Sequence, residues 1–102
     1  MNNISKLAVV SPKASLGDNI TIREFTVVED DVVIKDNVNI GTSCIINGGT
    51  RIASNCRIYH SAVLGSDPHD LKFEGEYTTL EIGENTIIRE FNLSIALENL
   101  RS

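Results

Sequence analysis

The 102-residue sequence is poor in aromatic residues, proline, cysteine and long apolar runs. With no Trp, two Tyr and three Phe, any core must be aliphatic. No apolar run approaches the ~20 residues of a membrane-spanning helix, so we predict no membrane span. A net charge of −5 from scattered acidic residues argues against nucleic acid as a partner. Two cysteines and an N-terminus without the features of a secretory signal favour reduced thiols and a cytoplasmic location.

The sequence instead contains a six-residue repeat, or hexad, that begins with a large aliphatic side chain. A smaller or β-branched residue, such as Thr26 or Cys44, stands four places after the large aliphatic residue of each hexad. An α-helix does not keep a strict six-residue period on one stripe, whereas short strands separated by turns do. We therefore predict an all-β fold, a parallel β-helix with three hexapeptide repeats in each coil. The aliphatic positions are Ile4, Val10, Leu16, Ile22, Val28, Ile34, Ile40, Ile46, Ile52, Ile58 and Leu64.

Asparagine recurs at the spacing expected for one corner of such a coil. Asn19, Asn37 and Asn55 follow one another at intervals of three hexads, and Asn tolerates the left-handed backbone conformation that a tight corner requires. The next such residue, Asn85, comes five hexads after Asn55, which is two hexads more than one coil. We therefore predict that a loop at about residues 66–79 leaves the β-helix and that the repeats resume at Leu80.

The repeats predict one β-helical domain and a divergent tail. The β-helix is expected over residues 1–92, with about four to five coils, and the tail over residues 93–102. Leu93, Leu97 and Leu100 have helical spacing. The tail is therefore predicted either to form a short helix that caps the open strand edges of the last coil or to fray.

The cysteines and His60 are chemically active residue types, but their positions in the repeat predict structural and not catalytic roles. Cys44 and Cys56 occupy inward positions of hexads that are two repeats apart, so we predict buried, inert thiols on different walls with no bridge between them. His60 is predicted to lie on the surface at a corner. Neither a metal-ligand spacing nor a phosphate-loop or dinucleotide fingerprint occurs, so we predict no metal site and no cofactor.

The predicted loop and the strand after it resemble one family of hexapeptide transferases. Residues 64–83 read LGSDPHDLKFEGEYTTLEIG, and residues 88–91 read IREF. A similar loop and a similar Ile-Arg-Glu corner are typical of the acyl-[acyl-carrier-protein]–UDP-N-acetylglucosamine O-acyltransferases. The resemblance covers about residues 4–91 and corresponds to the N-terminal part of that family. It implies a left-handed β-helix; the handedness comes from the resemblance and not from the spacing.

The resemblance also implies a reaction, its substrates and a binding site. The family transfers a 3-hydroxyacyl group from acyl carrier protein to the 3-hydroxyl of UDP-N-acetylglucosamine in lipid A synthesis, at sites between the subunits of a homotrimer. By resemblance, Asp70 contacts the acceptor sugar, Lys72 lies near donor and acceptor, and His69 replaces a frequent glutamine. The catalytic histidine of the family lies beyond the Ile-Arg-Glu corner and has no counterpart here. We therefore predict a truncated transferase that is inactive as an isolated chain.

Two other functions remain open from the sequence. A non-catalytic β-helical module would self-associate or bind a nucleotide sugar. Another hexapeptide transferase, such as an acetyltransferase that acts on a sugar or an amino acid, would share the repeats but would need a different loop. The alternative interpretation of Asp70 and Lys72 is a pair of solvated loop residues without a binding role.

Overall fold

The computed structural model describes residues 1–65 and 79–89, which form thirteen short parallel strands. Most strands contain two residues, because the chain turns after each hexad. Their bounds are β1 Asn3–Ile4, β2 Val9–Val10, β3 Ser15–Leu16, β4 Thr21–Ile22, β5 Val27–Val28, β6 Val33–Ile34, β7 Asn39–Ile40, β8 Ile45–Ile46, β9 Thr50–Ile52, β10 Arg57–Ile58, β11 Val63–Leu64, β12 Leu80–Ile82 and β13 Ile87–Ile88.

The strands stack into three sheets, which are the walls of a three-sided prism. Wall 1 has the order β1-β4-β7-β10-β13, wall 2 contains β2, β5, β8 and β11, and wall 3 contains β3, β6, β9 and β12. Each strand pairs in parallel with the strand three places along the chain, because three strands complete one coil. The described residues therefore make four coils and one additional strand, in agreement with the predicted parallel β-helix of hexapeptide repeats.

The aliphatic stripe fills the inside of the prism. Ile22, Ile40 and Ile58 are paired in register in successive coils, and each is 1% exposed. The smaller inward residues also face the core, with Cys44 fully buried and Cys56 2% exposed. Burial of these side chains provides the main stabilisation, since each fully buried Ile or Val contributes about 1.5–3 kcal/mol. The predicted stacking of the six-residue period is confirmed.

The corners repeat one backbone conformation at every sixth residue. From residue 19 to residue 61 each such position has a positive φ, close to 60° except at Gly49, where it is 89°. Asn19, Asn37 and Asn55 adopt it at one corner, as their spacing predicts. Serine, aspartate and even Phe25 adopt it at the other two corners, so the coil imposes the conformation whatever the residue type. The positions are Asn19, Phe25, Asp31, Asn37, Ser43, Gly49, Asn55 and Ser61, followed by Asn85.

The strand register accounts for the predicted loop. Leu80 pairs with Thr50, five hexads earlier in the chain, whereas all strand partners before β12 are three hexads apart. The strands therefore resume at Leu80 after a surplus of two hexads, as the Asn spacing predicts. Residues 66–78 and 90–102 lie outside the described residues. The domain boundaries at residues 92 and 93 and the capping helix of the tail thus stay predictions.

Candidate functional site

The loop starts and ends at one corner of the prism, which we call the loop corner. It joins walls 2 and 3 and consists of residues 11–14, 29–32 and 47–50 in successive coils, with Gly65 as the last described residue before the loop. When the chain returns, the Leu80 backbone N–H donates to the Gly49 carbonyl oxygen over 3.0 Å. Both ends of the loop are therefore attached to the coil that contains residues 47–50.

Asn47 holds the last two residues before the loop. Its backbone N–H donates to the Leu64 carbonyl oxygen over 2.9 Å, and its side-chain Nδ2 donates to the Gly65 carbonyl oxygen over 3.2 Å. The Asn47 side chain is almost fully buried, and a buried amide without a hydrogen bond would destabilise the fold. Its bond to Gly65 is therefore needed for stability. In a regular coil, a residue pairs with the neighbouring coil through its backbone alone. At Gly65 the Asn47 side chain of the preceding coil adds a hydrogen bond to the backbone carbonyl.

Thr50 completes this buried polar arrangement. Its hydroxyl is fully buried and donates to the Asn47 carbonyl oxygen over 2.8 Å. Gly65 packs directly on it: a Cβ atom at Gly65 would stand 2.7 Å from Thr50 Oγ1. Gly65 also has a φ of 85°, which L side chains rarely adopt. Only glycine therefore fits where the chain leaves the prism.

The preceding coil supports the loop corner from below. Gly49 N–H donates to the Asp31 carbonyl oxygen over 2.8 Å, and Arg51 Nη1 donates to the same oxygen over 2.7 Å. Arg51 also forms an ion pair with the Asp31 carboxylate at 2.9 Å. The pair is partly exposed and adds little stability by itself. Its geometric effect is to fix the Gly49 backbone that receives the returning chain.

The residues predicted to bind substrate belong to the loop that this corner carries. His69, Asp70 and Lys72 lie outside the described residues, so their contacts stay predictions. The described part of the site is the platform formed by Asn47, Thr50 and Gly65. None of these three residues was predicted from the sequence to belong to a site, although Gly65 has a usable signal: it follows a strand end directly before the surplus in the repeat.

The remaining sequence candidates take the structural roles that were predicted. Cys44 and Cys56 are buried free thiols, and burial raises the pKa of the Cys44 thiol above its ordinary value, which disfavours the nucleophilic thiolate. His60 is exposed at a corner. Within residues 1–65 and 79–89 no group of His, Cys, Asp or Glu side chains has a metal-binding arrangement, and no helix could span a membrane.

The structure also has a concave surface, away from the loop corner, that was not predicted from the sequence. It lies on wall 1 and has a volume of about 360 Å³. Arg23, Arg57, Tyr59 and His60 are among its lining residues. The signal that could have found it is the column formed by Arg23, Gly41 and Tyr59 at intervals of one coil, in which a glycine separates two large side chains.

Comparison with known proteins shows that the chain is similar to one group of enzymes. No family model matches the chain. It is 40% identical over 91 residues to the acyl-[acyl-carrier-protein]–UDP-N-acetylglucosamine O-acyltransferase of Chlamydia caviae, a match that covers 89% of this chain and 33% of that protein. The predicted resemblance is confirmed. The corresponding acyltransferase of Thermodesulfovibrio yellowstonii is 36% identical over 91 residues, with 89% of this chain and 35% of that protein covered.

Solved acyltransferase structures have the same fold. A UDP-N-acetylglucosamine acyltransferase from Bacteroides fragilis matches with a TM-score of 0.78 and 44% identity over 84% of this chain and 34% of that one. The enzyme of Francisella novicida matches with a TM-score of 0.77 and 36% identity, over 85% and 32% of the two chains. The fold class is therefore the left-handed parallel β-helix that the resemblance implies. The chain spans about a third of the length of the curated relatives it matches.

Proposed function

We propose that this chain provides the acceptor-binding part of an acyltransferase of lipid A synthesis. The reaction transfers a 3-hydroxyacyl group from acyl carrier protein to the 3-hydroxyl of UDP-N-acetylglucosamine. The observation that carries the proposal is the surplus of two hexads at the loop corner, in a chain 40% identical to such an acyltransferase over 91 residues. Residues 1–102 alone are proposed to bind substrate without turning it over.

The rigid platform supports a binding role for the loop. Loop residues that contact a substrate must be held in place by contacts that are themselves fixed. Asn47 holds the start of the loop, Gly49 receives its end, and Thr50 occupies the buried space between them. These contacts are formed by side chains and backbone of one coil, so both ends of the loop are held by the same part of the prism.

The loop residues have the chemistry for an acceptor sugar with a diphosphate. The Asp70 carboxylate accepts hydrogen bonds from sugar hydroxyls, and the Lys72 ammonium donates to phosphate or acyl oxygens. His69 donates one hydrogen bond through a ring N–H. A general base is still required to take the proton of the attacking hydroxyl. By resemblance that base is a histidine beyond the Ile-Arg-Glu corner, so none of these three residues is assigned the role.

An acyl-transfer assay tests the catalytic half of the proposal. The purified 102-residue chain is incubated with 3-hydroxyacyl acyl carrier protein and UDP-N-acetylglucosamine. We expect no transfer above the rate without protein, because no residue here takes the part of the base. Turnover clearly above that background would show that the chain has its own base and would refute this part of the proposal.

A chimera tests the binding half. Residues 1–89 replace the matched segment of the Chlamydia caviae relative, and acyl transfer is measured. We expect activity, and we expect Asp70→Asn to lower kcat/KM by at least about tenfold because a charge-assisted hydrogen bond to the sugar is lost. Asp67→Asn removes the same charge from the same loop and serves as the matched control. An inactive but folded chimera, or equal losses in both variants, would contradict the proposal.

The second candidate is a self-associating β-helix, and wall 2 favours it. The outward residues of wall 2 are all aliphatic, with Val9 63% and Ile45 40% exposed. On wall 1 the corresponding positions include Asn39 and Arg57, and on wall 3 they include Arg51. We propose that further copies of this chain cover wall 2 in a homotrimer, since an exposed apolar stripe along the prism is costly in water.

Sedimentation equilibrium tests this candidate. We expect Ile45→Lys to weaken self-association by about tenfold or more, because a charge would be buried against apolar side chains. Val33→Lys makes the same change at an outward position of wall 3 and is expected to leave association unchanged. A monomeric wild-type chain, or equal effects of the two substitutions, would remove the second candidate.

We also propose a cytoplasmic location. Two buried thiols without a bridge support it, because oxidising compartments favour disulfides. The named substrates of the curated relatives, acyl carrier protein and UDP-N-acetylglucosamine, support it as well. Localisation of a tagged full-length protein by cell fractionation tests it, and recovery outside the cytoplasmic fraction would contradict it.

A further inference from the structure

The concave surface on wall 1, which we call the wall-1 pocket, is separate from the loop corner. The pocket lies on the outward side of β4, β7 and β10, whereas the loop leaves from the corner between walls 2 and 3. Its volume is about 360 Å³, enough for a phosphate group with part of a larger molecule. Its lining includes Arg23, Asn39, Gly41, Arg57, Tyr59 and His60, together with Thr21 and Thr42.

Gly41 lines the pocket between two residues with large side chains. Arg23, Gly41 and Tyr59 follow the paired residues of three successive strands, so they form one column at the end of wall 1. Coils stack about 4.8 Å apart, and Gly41 places no side chain between those of Arg23 and Tyr59 in this column. A Cβ atom at Gly41 would stand 2.8 Å from the His60 backbone nitrogen, so the backbone of the next coil packs directly on Gly41, and both residues line the pocket.

The lining of the pocket is positively charged in an otherwise acidic protein. Two arginines and one histidine line it, and none of its lining residues is acidic, although the net charge of the chain is −5. Arg23 lies 3.4 Å from the Glu24 carboxylate, in a largely exposed pair that water screens. Beside the pocket, the guanidinium carbon of Arg89 stands 4.4 Å from the centroid of the Tyr59 ring, which adds a third guanidinium.

Neutral donors surround these cations. Thr21 and Thr42 supply hydroxyls, Asn39 supplies an amide, and the Tyr59 ring brings a phenol. Among the described residues, the Arg57 guanidinium has no hydrogen bond or ion pair to a protein group, so its donors remain directed to solvent or a ligand. Guanidinium groups bind phosphate oxygens through two parallel hydrogen bonds, and hydroxyl and amide donors satisfy the remaining oxygens.

We propose that the wall-1 pocket binds the phosphoryl group of a small phosphate-bearing molecule. Arg57 holds two phosphoryl oxygens, Arg23 contributes from the coil two places away on the same wall, and His60 contributes a ring N–H from the corner that follows β10. Carboxylate-bearing ligands are weaker candidates because they offer two oxygens to this set of donors, whereas a phosphoryl group offers three. The site is independent of the loop, so it does not rest on the proposed acyltransferase function.

Titration of the 102-residue chain with inorganic diphosphate, followed by amide NMR shifts at constant ionic strength, tests the proposal. We expect saturable shifts confined to residues 21–23, 39–42 and 57–60. A parallel titration with uridine diphosphate separates the two sources of the phosphoryl group: tighter binding than diphosphate indicates a nucleotide, and equal binding indicates the phosphoryl group alone. Failure of both probes to give saturable shifts would overturn the proposal.

A matched pair of variants distinguishes a site from general attraction by charge. Arg57→Gln is expected to weaken diphosphate binding about tenfold, as loss of a charge-assisted pair of hydrogen bonds predicts. Lys35→Gln removes the same charge from an exposed position at the end of wall 3 and should leave binding unchanged. Both residues are exposed, so both variants should keep the wild-type amide spectrum. If both substitutions weakened diphosphate binding equally, the net charge of the chain would explain the binding, and the proposed site would be refuted.

Discussion

The loop corner and the corner that contains the asparagines join the same kind of strands, yet only one of them is regular. The second, which we call the Asn corner, consists of residues 17–20, 35–38, 53–56 and 83–86 between walls 3 and 1. It repeats one conformation four times, with Asn at positive φ each time. The loop corner takes the same conformation at Asp31 and Gly49, and then opens at Gly65 to release the loop.

The two corners also differ in where their polar side chains lie. At the Asn corner an exposed amide ladder runs along the prism: Asn19 Nδ2 donates to Asn37 Oδ1 over 2.8 Å, and Asn37 Nδ2 to Asn55 Oδ1 over 3.2 Å. At the loop corner the side chains of Asn47 and Thr50 are buried. A regular corner is thus held by repeated contacts of low individual value, whereas the point of loop departure depends on a few buried contacts.

The largest expected difference between the corners comes from their glycines. Gly65→Ala should lower the free energy of unfolding by about 2–4 kcal/mol, because it combines an unfavourable left-handed backbone with a clash against Thr50. Gly83→Ala at the Asn corner meets no atom within 4 Å and should change stability by less than about 1 kcal/mol. Urea unfolding of the two variants measures both values. Equal losses would mean that the loop corner is no more constrained than the Asn corner.

A pair of threonines gives the next largest difference. The Thr50 hydroxyl donates to the Asn47 carbonyl over 2.8 Å, and the Thr86 hydroxyl at the Asn corner makes the same type of bond to Gly83 over 2.7 Å. Thr50→Val should destabilise by about 1–3 kcal/mol, since it leaves the buried Asn47 carbonyl without this donor. Thr86→Val should lower the free energy of unfolding by only a few tenths of the loss in Thr50→Val, because water replaces the hydroxyl at an exposed site. Urea unfolding compares the two, and a larger loss in Thr86→Val would reverse the comparison.

The regular features were predictable from sequence because each has a side-chain signature. The six-residue period identified the core, and the spacing of Asn37, Asn55 and Asn85 identified both the Asn corner and the surplus of two hexads. Backbone conformation at the other corners was not predictable from residue type. Phe25 has a φ of 64° although bulky residues rarely adopt it. Its backbone N–H donates to the Leu7 carbonyl oxygen over 3.2 Å, so stacking on the coil below fixes the conformation there.

The candidate site was only partly predictable for the opposite reason. His69, Asp70 and Lys72 were identified by resemblance, and their positions lie outside the described residues. The platform beneath them is formed by side chains that become neighbours one full coil apart. A search for short motifs along the sequence does not show which residues those are. Arranging the sequence in rows of one coil each places Asn47 beneath Gly65, and the same arrangement places Gly41 between Arg23 and Tyr59.

The smallest expected effect separates the two contributions of asparagine at its own corner. Asn37→Ala loses the amide ladder and places Ala at a φ of 60°, which should cost about 1–2 kcal/mol in total. Asn37→Gly loses the ladder and has a more flexible unfolded chain, but glycine adopts this φ without steric cost, so it should be the less destabilised variant. Asn85→Ala loses the backbone preference alone, since no ladder bond reaches Asn85 in the part of the chain that the structure describes. If Asn37→Gly is as unstable as Asn37→Ala in urea unfolding, side-chain stacking and not backbone conformation explains why asparagine recurs once in every coil.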